Sequence, residues 1–224
     1  AFIVLADADI DKAVAVGIKA RFQNAGQVCI AAKRFILERP IAEELARKFV
    51  AAAAKIKTGD PLDETTTIGP VARGDLRDGI HDQVQRSIAS GAKLLLGGKK
   101  VDGPGFFYEP TVLADVAPGM AAFDEEIFGP VAAFTVADDL DHAIALANQS
   151  EYGLSGNLWT SDMTKAREIA TRLETGGVFI NGYSASNPRL PVGGIKKSGY
   201  GRELSHFGVR EFTNAQGVWV KENP

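Results

Sequence analysis

The sequence predicts an α/β fold, with a mainly parallel β-sheet covered by helices on both faces. Strand-like and helix-like segments alternate along the 224 residues. The strand-like segments are continuously apolar, where a sheet with one wet face would alternate apolar and polar residues. Continuous apolar strands are typical of sheets buried on both faces. No linker, repeat or low-complexity segment interrupts the pattern, so one domain is the simplest interpretation.

The first half of the chain predicts three helices between short strands. Asp9 is a candidate N-cap for a helix that continues to Phe22. A second helix opens at Pro40 and ends before Thr58–Pro61, and a third covers Gly74–Ser90. The predicted strands of this half are Ala1–Leu5, Phe35–Leu37 and Leu94–Leu96.

The second half continues this alternation and ends in a different kind of tail. Its predicted strands are Thr111–Leu113, Val131–Val136, Leu154–Thr160 and Val178–Asn181, and its predicted helices are Leu140–Asn148 and Thr164–Glu174. Val192–Gly201 then carries four glycines in ten residues. A short helix over Glu203–Phe207 and an extended segment over Val209–Val220 follow. An unpaired terminal strand indicates pairing with another subunit or with sequence outside this chain.

Composition and charge argue against several classes of protein. Apolar residues make up 45% and charged residues 24% of the chain, as in ordinary globular proteins. The net charge of −3 provides no basic face for nucleic acid, and no apolar run reaches the ~18–20 residues of a membrane helix. The single cysteine, Cys29, allows no internal disulfide, which fits a reducing cytoplasm. We therefore expect a cytoplasmic protein with no nucleic-acid or membrane partner.

The start of the chain is unusual for a complete protein. There is no initiator methionine, and Ala1–Leu5 is already apolar. The segment has neither the basic region nor the cleavage site of a signal peptide. We expect the chain to be a piece of a longer protein.

Cys29 is the first candidate for catalysis. Gly26 permits a sharp turn before it, and Ile30–Arg34 is predicted to start a helix after it. A thiol at a helix N-terminus has its thiolate stabilised by the helix dipole. The alternative is that a lone free cysteine packs as a small apolar side chain. The surrounding residues favour the nucleophile.

Three motifs resemble those of the aldehyde dehydrogenase family. Phe22–Cys29 (FQNAGQVC) resembles the segment of the family's active-site cysteine. Glu125–Pro130 (EEIFGP) resembles a second family signature. Pro191–Glu203 (PVGGIKKSGYGRE) resembles a third, with Val192 where phenylalanine is commoner. The resemblance spans the whole chain, and it is strongest to the succinate-semialdehyde dehydrogenases.

The resemblance implies a reaction and roles for particular residues. The Cys29 thiolate would attack a small-molecule aldehyde, a hydride would pass to NAD or NADP, and water would hydrolyse the resulting thioester. The backbone N–H of Cys29 is an expected oxyanion donor. Glu126 is implied to bind the nicotinamide ribose hydroxyls, and Phe128 to pack beside the nicotinamide. No metal is implied.

Two further residues, Glu203 and Asn181, each have two possible roles. Glu203 matches a second family glutamate that is proposed to relay protons near the thioester, although Gly-Arg-Glu also looks like an ordinary helix start. Asn181 would either orient the substrate aldehyde or tie down a turn.

Substrate choice depends on the recognition of a distal carboxylate. Succinic semialdehyde requires a cation or several hydroxyls in its pocket. One succinate-semialdehyde branch of the family has an arginine six residues before the cysteine, where this chain has Gln23. Arg189 matches the family's substrate-entrance loop and would supply the charge, with Ser184 and Ser186 beside it. The alternative is that Arg189 is a surface residue paired with an acid.

The resemblance also implies how the chain is divided. Residues 1–208 would be the catalytic domain, and residues 209–224 an extended oligomerisation strand of a homodimer or homotetramer. The family's general-base glutamate, its oxyanion-hole asparagine and its dinucleotide-binding domain precede the region that matches Ala1. We expect the isolated chain to keep its nucleophile and to turn over poorly or not at all.

Two other functions fit parts of the sequence. A cysteine hydrolase would use Gln27 and Cys29 with a distant histidine, but Val28–Ala32 does not match the papain-like C-G-S-C-W signature. A non-catalytic scaffold or binding subunit of the same family has no reason to retain Cys29, Glu126 and Phe128 together. Reduction of NAD or NADP by the complete gene product separates the dehydrogenase from both.

Overall fold

A seven-stranded sheet organises the computed structural model, which describes residues 1–222. Its strands are β1 (Phe2–Val4), β2 (Arg34–Glu38), β3 (Lys93–Leu96), β4 (Thr111–Ala114), β5 (Val131–Ala137), β7 (Gly156–Trp159) and β8 (Val178–Ile180). Their spatial order is β3-β4-β5-β2-β1-β7-β8, and only the β3–β4 pair is antiparallel. Strands β6 (Tyr152–Gly153) and β9 (Ile195–Lys196) form a separate antiparallel pair. The prediction of a mainly parallel sheet is confirmed.

Helices connect these strands and cover them. They are α1 (Ile10–Phe22), α2 (Arg39–Ala53), α3 (Gly74–Ala89), α4 (Ala121–Asp124), α5 (Leu140–Asn148), α6 (Met163–Arg172) and α7 (Ser205–Glu211). Asp9 caps α1 as predicted, because its carboxylate accepts from the backbone N–H of Lys12. Pro40 lies in the first turn of α2, where its missing N–H costs nothing.

The sheet has a separate apolar core on each face. Along β1 and β2, Ile3 and Ile36 point into one core, while Phe2 and Phe35 point into the other. Helices α1 and α2 cover the second core, and α3 to α6 cover the first. The rings of Phe2, Phe35, Phe49 and Phe134 contact one another in the second core, with centroids 4.9 to 5.5 Å apart. Burial on both faces explains why the central strands are continuously apolar. The edge strand β3 departs from this prediction, because its Leu94 and Leu95 are exposed.

The C-terminal segment differs from its prediction. The predicted short helix is present, but α7 covers Ser205–Glu211 instead of Glu203–Phe207, so the extended chain predicted from Val209 to Glu211 is wrong. The backbone of Glu203 pairs in both directions with that of Val192, at 2.8 and 2.9 Å, and cannot begin a helix. Residues 214–222 have no regular secondary structure and expose three apolar side chains, Val218, Trp219 and Val220. The last two positions of the predicted 209–224 segment lie outside the described residues.

No helix among residues 1–222 combines the length and the apolar character needed to cross a membrane.

Phe49 tests the aromatic core. It is fully buried and contacts Phe35 and Phe134 edge-on. We expect Phe49→Ala to lower the free energy of unfolding by about 3–5 kcal/mol, because a large cavity would be left. Leu62→Ala is the control, since Leu62 is 90% exposed, and it should change stability by less than about 0.5 kcal/mol. Urea unfolding followed by circular dichroism measures both, and equal losses would contradict this account of the core.

Candidate active site

A cleft of about 320 Å³ lies at the amino-terminal edge of the parallel strands. Its walls are formed largely by the segments that lead into β2, β5 and β7, namely Val28–Arg34, Asp124–Phe128 and Leu154–Asn157. The structure thus brings Cys29, Glu126 and Phe128 to one cleft, although they are far apart in the sequence. Open α/β sheets more often bind ligands at the opposite, carboxyl edge of their strands.

Cys29 lies in an exposed turn that leads into β2. The predicted helix from Ile30 is wrong, because Arg34 already pairs with β5 and leaves too few residues for a helix. A turn closed by the backbone N–H of Ala31 and the carbonyl of Val28, 2.9 Å apart, takes its place. No helix therefore begins directly after Cys29, and the predicted helix dipole is not there to act on its thiol. Within residues 1–222, the backbone N–H of Cys29 has no hydrogen-bond acceptor.

Two amide side chains of the cysteine motif hold this loop in shape. The Gln27 amide donates to the Asn24 carbonyl at 3.2 Å, and its oxygen accepts from the backbone N–H of Ala72 at 2.9 Å. The Asn24 amide in turn donates to the Gln27 carbonyl at 3.1 Å. These bonds support a backbone in which Asn24 and Ala25 both have positive φ angles, 51° and 53°.

Gly26 is the point where the cysteine loop contacts the EEIFGP segment. Its φ is +74°, and a Cβ there would lie 2.1 Å from the carbonyl oxygen of Gly129. The same Cβ would lie 2.4 Å from Nη2 of Arg21, which donates to the Gly26 carbonyl at 2.8 Å. Only glycine satisfies both the angle and the approach. Two motifs that lie a hundred residues apart in the sequence are therefore in direct backbone contact.

The two adjacent glutamates of EEIFGP have different environments. Glu125 accepts a bidentate pair from Arg86 at 2.7 and 2.8 Å and a bond from Gln83 at 3.0 Å. Those donors lower the pKa of Glu125 to about 2. Glu126 is exposed, and its carboxylate has no hydrogen bond or ion pair among the described residues. Its carboxylate is therefore available to a ligand in the cleft, while that of Glu125 is not.

Lys33 and Arg34 place two cations at the base of the cleft. The Lys33 ammonium donates to the carbonyls of Phe123, at 2.9 Å, and Glu125. Burial, with the charges of Arg34 and Arg21 nearby, lowers the pKa of Lys33 to about 7. Arg34 donates to the carbonyl of Leu146 at 2.8 Å and also lies over the ring of Phe123. Neither residue was predicted to belong to the site, because both lie in Ile30–Arg34, which was expected to start a helix.

Ser186 lies on a second, smaller pocket of about 30 Å³. This pocket and the cleft share Ile30, Leu154 and Ser155, so the loop that holds Ser186 is adjacent to the cysteine turn. Arg189 is exposed on the same loop, where its N–H donates to the Asn187 side chain at 3.0 Å. No carboxylate among residues 1–222 forms an ion pair with its guanidinium.

The remaining predicted site residues line neither pocket. Ser184 is buried, with its hydroxyl 2.7 Å from that of Ser155. Asn181 accepts from the backbone N–H of Thr160 and donates to its carbonyl, which ties the ends of β7 and β8 together. Gln23 is half-buried at the start of a short 3-10 turn, and Glu203 is exposed beside Val192.

Within the described part of the chain, no group of three or more histidine, cysteine, aspartate or glutamate side chains is arranged to hold a metal ion.

Comparisons with known proteins assign the family. A model described as "Aldehyde dehydrogenase family" matches residues 1–218. A succinate semialdehyde dehydrogenase of Escherichia coli (strain K12), named for NAD(P)+, is 60% identical over 218 residues, which are 97% of this chain and 47% of that protein. The succinate-semialdehyde dehydrogenase of Mycobacterium avium (strain 104), named for NADP(+), is 48% identical over 219 residues, which are 98% of this chain and 46% of that protein.

Solved structures agree with this assignment. The succinic semialdehyde dehydrogenase from Streptococcus pyogenes, solved in complex with NADP+, matches with a TM-score of 0.95 and 38% identity. That match covers 99% of this chain and 49% of that one. The chain belongs to the aldehyde dehydrogenase family, as its three motifs predicted. It spans about half the length of the curated relatives it matches.

Gly26 tests the contact between the two motifs. We expect Gly26→Ala to destabilise the protein by at least about 1–3 kcal/mol, because a strained φ and a backbone clash would add together. The matched control is Gly79→Ala within α3, where a Cβ meets nothing within 4 Å and should stabilise by about 0.5–1 kcal/mol. Urea unfolding and the rate of Cys29 alkylation measure the effect. A tolerated Gly26→Ala with an unchanged alkylation rate would refute the contact.

Proposed function

We propose that the full-length protein that carries this chain oxidises succinic semialdehyde to succinate with NAD or NADP. The observation that carries the proposal is the convergence of an exposed thiol at Cys29, the unpaired carboxylate of Glu126 and the ring of Phe128 on one cleft. Relatives at 60% and 48% identity bear the name succinate-semialdehyde dehydrogenase, which supports the substrate.

The cysteine turn provides the nucleophile and one oxyanion donor. The Cys29 thiolate attacks the aldehyde carbonyl, and the tetrahedral thiohemiacetal develops negative charge on the former carbonyl oxygen. The backbone N–H of Cys29, which has no acceptor among residues 1–222, would donate to that oxygen. Loss of a hydride from the thiohemiacetal leaves a thioester on Cys29, and water then releases the acid.

Glu126 and Phe128 are suited to hold a dinucleotide. Both line the cleft with Cys29, and the Glu126 carboxylate can accept from two ribose hydroxyls at once. The ring of Phe128 is 41% exposed, so an apolar surface is available beside the thiol. When bound, the oxidised nicotinamide supplies the acceptor for the hydride.

The loop of Ser186 and Arg189 is the proposed site for the distal carboxylate. Arg189 has no acidic partner within the described chain, so the alternative of a paired surface arginine has no support there. A guanidinium binds a carboxylate through two parallel hydrogen bonds. The hydroxyl of Ser186, on the small pocket next to Ile30, would add a further donor.

Two proposals concern the rest of the protein. The exposed apolar side chains of residues 214–222 would pair with another subunit in a homodimer or homotetramer. The isolated chain would turn over poorly, because the resemblance assigns the general base and the dinucleotide-binding domain to other sequence. Glu203 stays the proposed proton relay near the thioester on the resemblance alone, since it lines neither pocket.

The nucleophile is tested by Cys29→Ser in the full-length protein. We expect the wild type to reduce NAD or NADP in the presence of succinic semialdehyde. The variant should lose this activity and retain nearly unchanged affinity for the cofactor, because Cys29 reacts with the aldehyde and does not bind the ribose. Absorbance of the reduced nicotinamide and a fluorescence titration measure the two properties. Retained turnover would exclude Cys29 as the nucleophile, and an inactive wild type would favour a scaffold.

Substrate recognition is tested by Arg189→Ala. We expect KM for succinic semialdehyde to rise by roughly 5- to 150-fold, equivalent to about 1–3 kcal/mol of binding, because a charged hydrogen bond is lost. KM for an uncharged aldehyde of similar length should stay within about twofold. Arg167→Ala, at another exposed arginine, is the control. Equal effects on the two aldehydes would assign the carboxylate to other residues.

A further inference from the structure

The segment that carries Glu126 follows a very short helix. Helix α4 has only four residues, Ala121–Asp124, and the carbonyl groups at the end of a helix lack partners within it. The carbonyls of Phe123, Glu125 and Glu126 nevertheless all accept hydrogen bonds. Each donor is a side chain from another element, and these donors therefore determine where the segment lies.

Lys33 supplies two of these donors. Its ammonium bonds to the carbonyls of Phe123 and Glu125, and it forms no ion pair with a carboxylate among residues 1–222. The backbone of Lys33 is itself fixed, since its carbonyl accepts from the N–H of Ala133 in β5 at 3.0 Å. Lys33 also follows Cys29 by four residues in the same loop. It therefore connects the thiol loop to the Glu126 segment.

Helix α3 supplies the other support. Gln83 donates to the Glu126 carbonyl and to the Glu125 carboxylate, both at 3.0 Å. Arg86 binds that carboxylate with two nitrogens, at 2.7 and 2.8 Å. Gln83 and Arg86 thus engage the Glu126 carbonyl and the Glu125 carboxylate, and the Glu126 carboxylate stays unpaired among residues 1–222.

We propose that Lys33 is a positioning residue that holds the Phe123–Glu126 backbone so that the Glu126 carboxylate faces the cleft beside Cys29. The inference rests on the proposed function, in which Glu126 binds the dinucleotide. Keeping an ammonium here is costly, because burial and two neighbouring guanidinium groups lower its pKa to about 7. The two carbonyl bonds offset part of that cost.

The test is a double-mutant cycle in the full-length protein, with Lys33→Met and Glu126→Gln. Lys33→Met should raise KM and Kd for NAD or NADP at least fivefold and change KM for the aldehyde by less than twofold. In the Glu126→Gln background the same substitution should change the dinucleotide KM by less than twofold, because both act through one carboxylate. Lys93→Met is the matched control, at an exposed lysine that begins β3, and should leave every constant unchanged.

Each outcome decides the question. Full effects of Lys33→Met in both backgrounds, or a lower melting temperature with unchanged constants, would overturn the positioning role. If Lys33→Met does not fold, Gln83→Leu decides, since it releases the Glu126 carbonyl from the other side. Gln83→Leu should then raise the dinucleotide KM and Kd by severalfold, and unchanged constants would overturn the inference. A wild type that binds no dinucleotide would instead refute the proposed function, which the wild-type titration alone reveals.

Discussion

The contact of Gly26 with the carbonyl oxygen of Gly129 fixes the spacing of the two loops that form the cleft. The space there excludes any Cβ, and the backbone of Gly26 adopts an angle that other residues avoid. A Cβ at Gly129 would lie 2.3 Å from the side chain of Ile80 in α3. Gly129 is therefore closely packed against Gly26 on one side and against α3 on the other. Both loops lead directly into paired strands, β2 and β5. The strand pairing and the glycine contact together hold the loop of Cys29 beside the loop of Glu126.

Buried cations are the main electrostatic cost of this arrangement. Arg21 and Arg34 are buried at the cleft and Lys33 is half-buried there, and loss of hydration lowers the pKa of each. Their side chains donate mainly to main-chain carbonyls that helices and turns leave without partners. Such bonds satisfy both the side-chain donor and the carbonyl. The charges of Asp124 and Glu126 are near enough to raise these pKa values in part, but no carboxylate among residues 1–222 forms an ion pair with the three side chains.

The sequence predicted the sheet and most helices, because burial on both faces produces long apolar runs and helices carry an i, i+4 pattern. In α2, Ile41, Leu45, Phe49 and Ala53 recur every four residues and form the buried face of the helix. Predictions failed where a long-range contact outweighed a local preference. Residues 30–33 could have continued a helix locally, but pairing of Arg34 with β5 prevents it. Similarly, the backbone bridge between Val192 and Glu203 prevents α7 from beginning at Glu203, and the helix begins at Ser205.

The sequence predicted which residues belong to the candidate site, but it did not predict which side chains contact them. The three motifs identified Cys29, Glu126 and Phe128 as candidate site residues. No pattern within a motif predicts that Arg86 binds the Glu125 carboxylate and leaves that of Glu126 unpaired. Adjacent carboxylates in an irregular segment point in different directions, and the direction depends on which side chains of α3 reach them. The same applies to Lys33, whose partners lie ninety residues further along the chain. The position of the Glu126 segment therefore depends on side-chain donors that bind its backbone carbonyls, and these donors lie outside the signatures that identify the family.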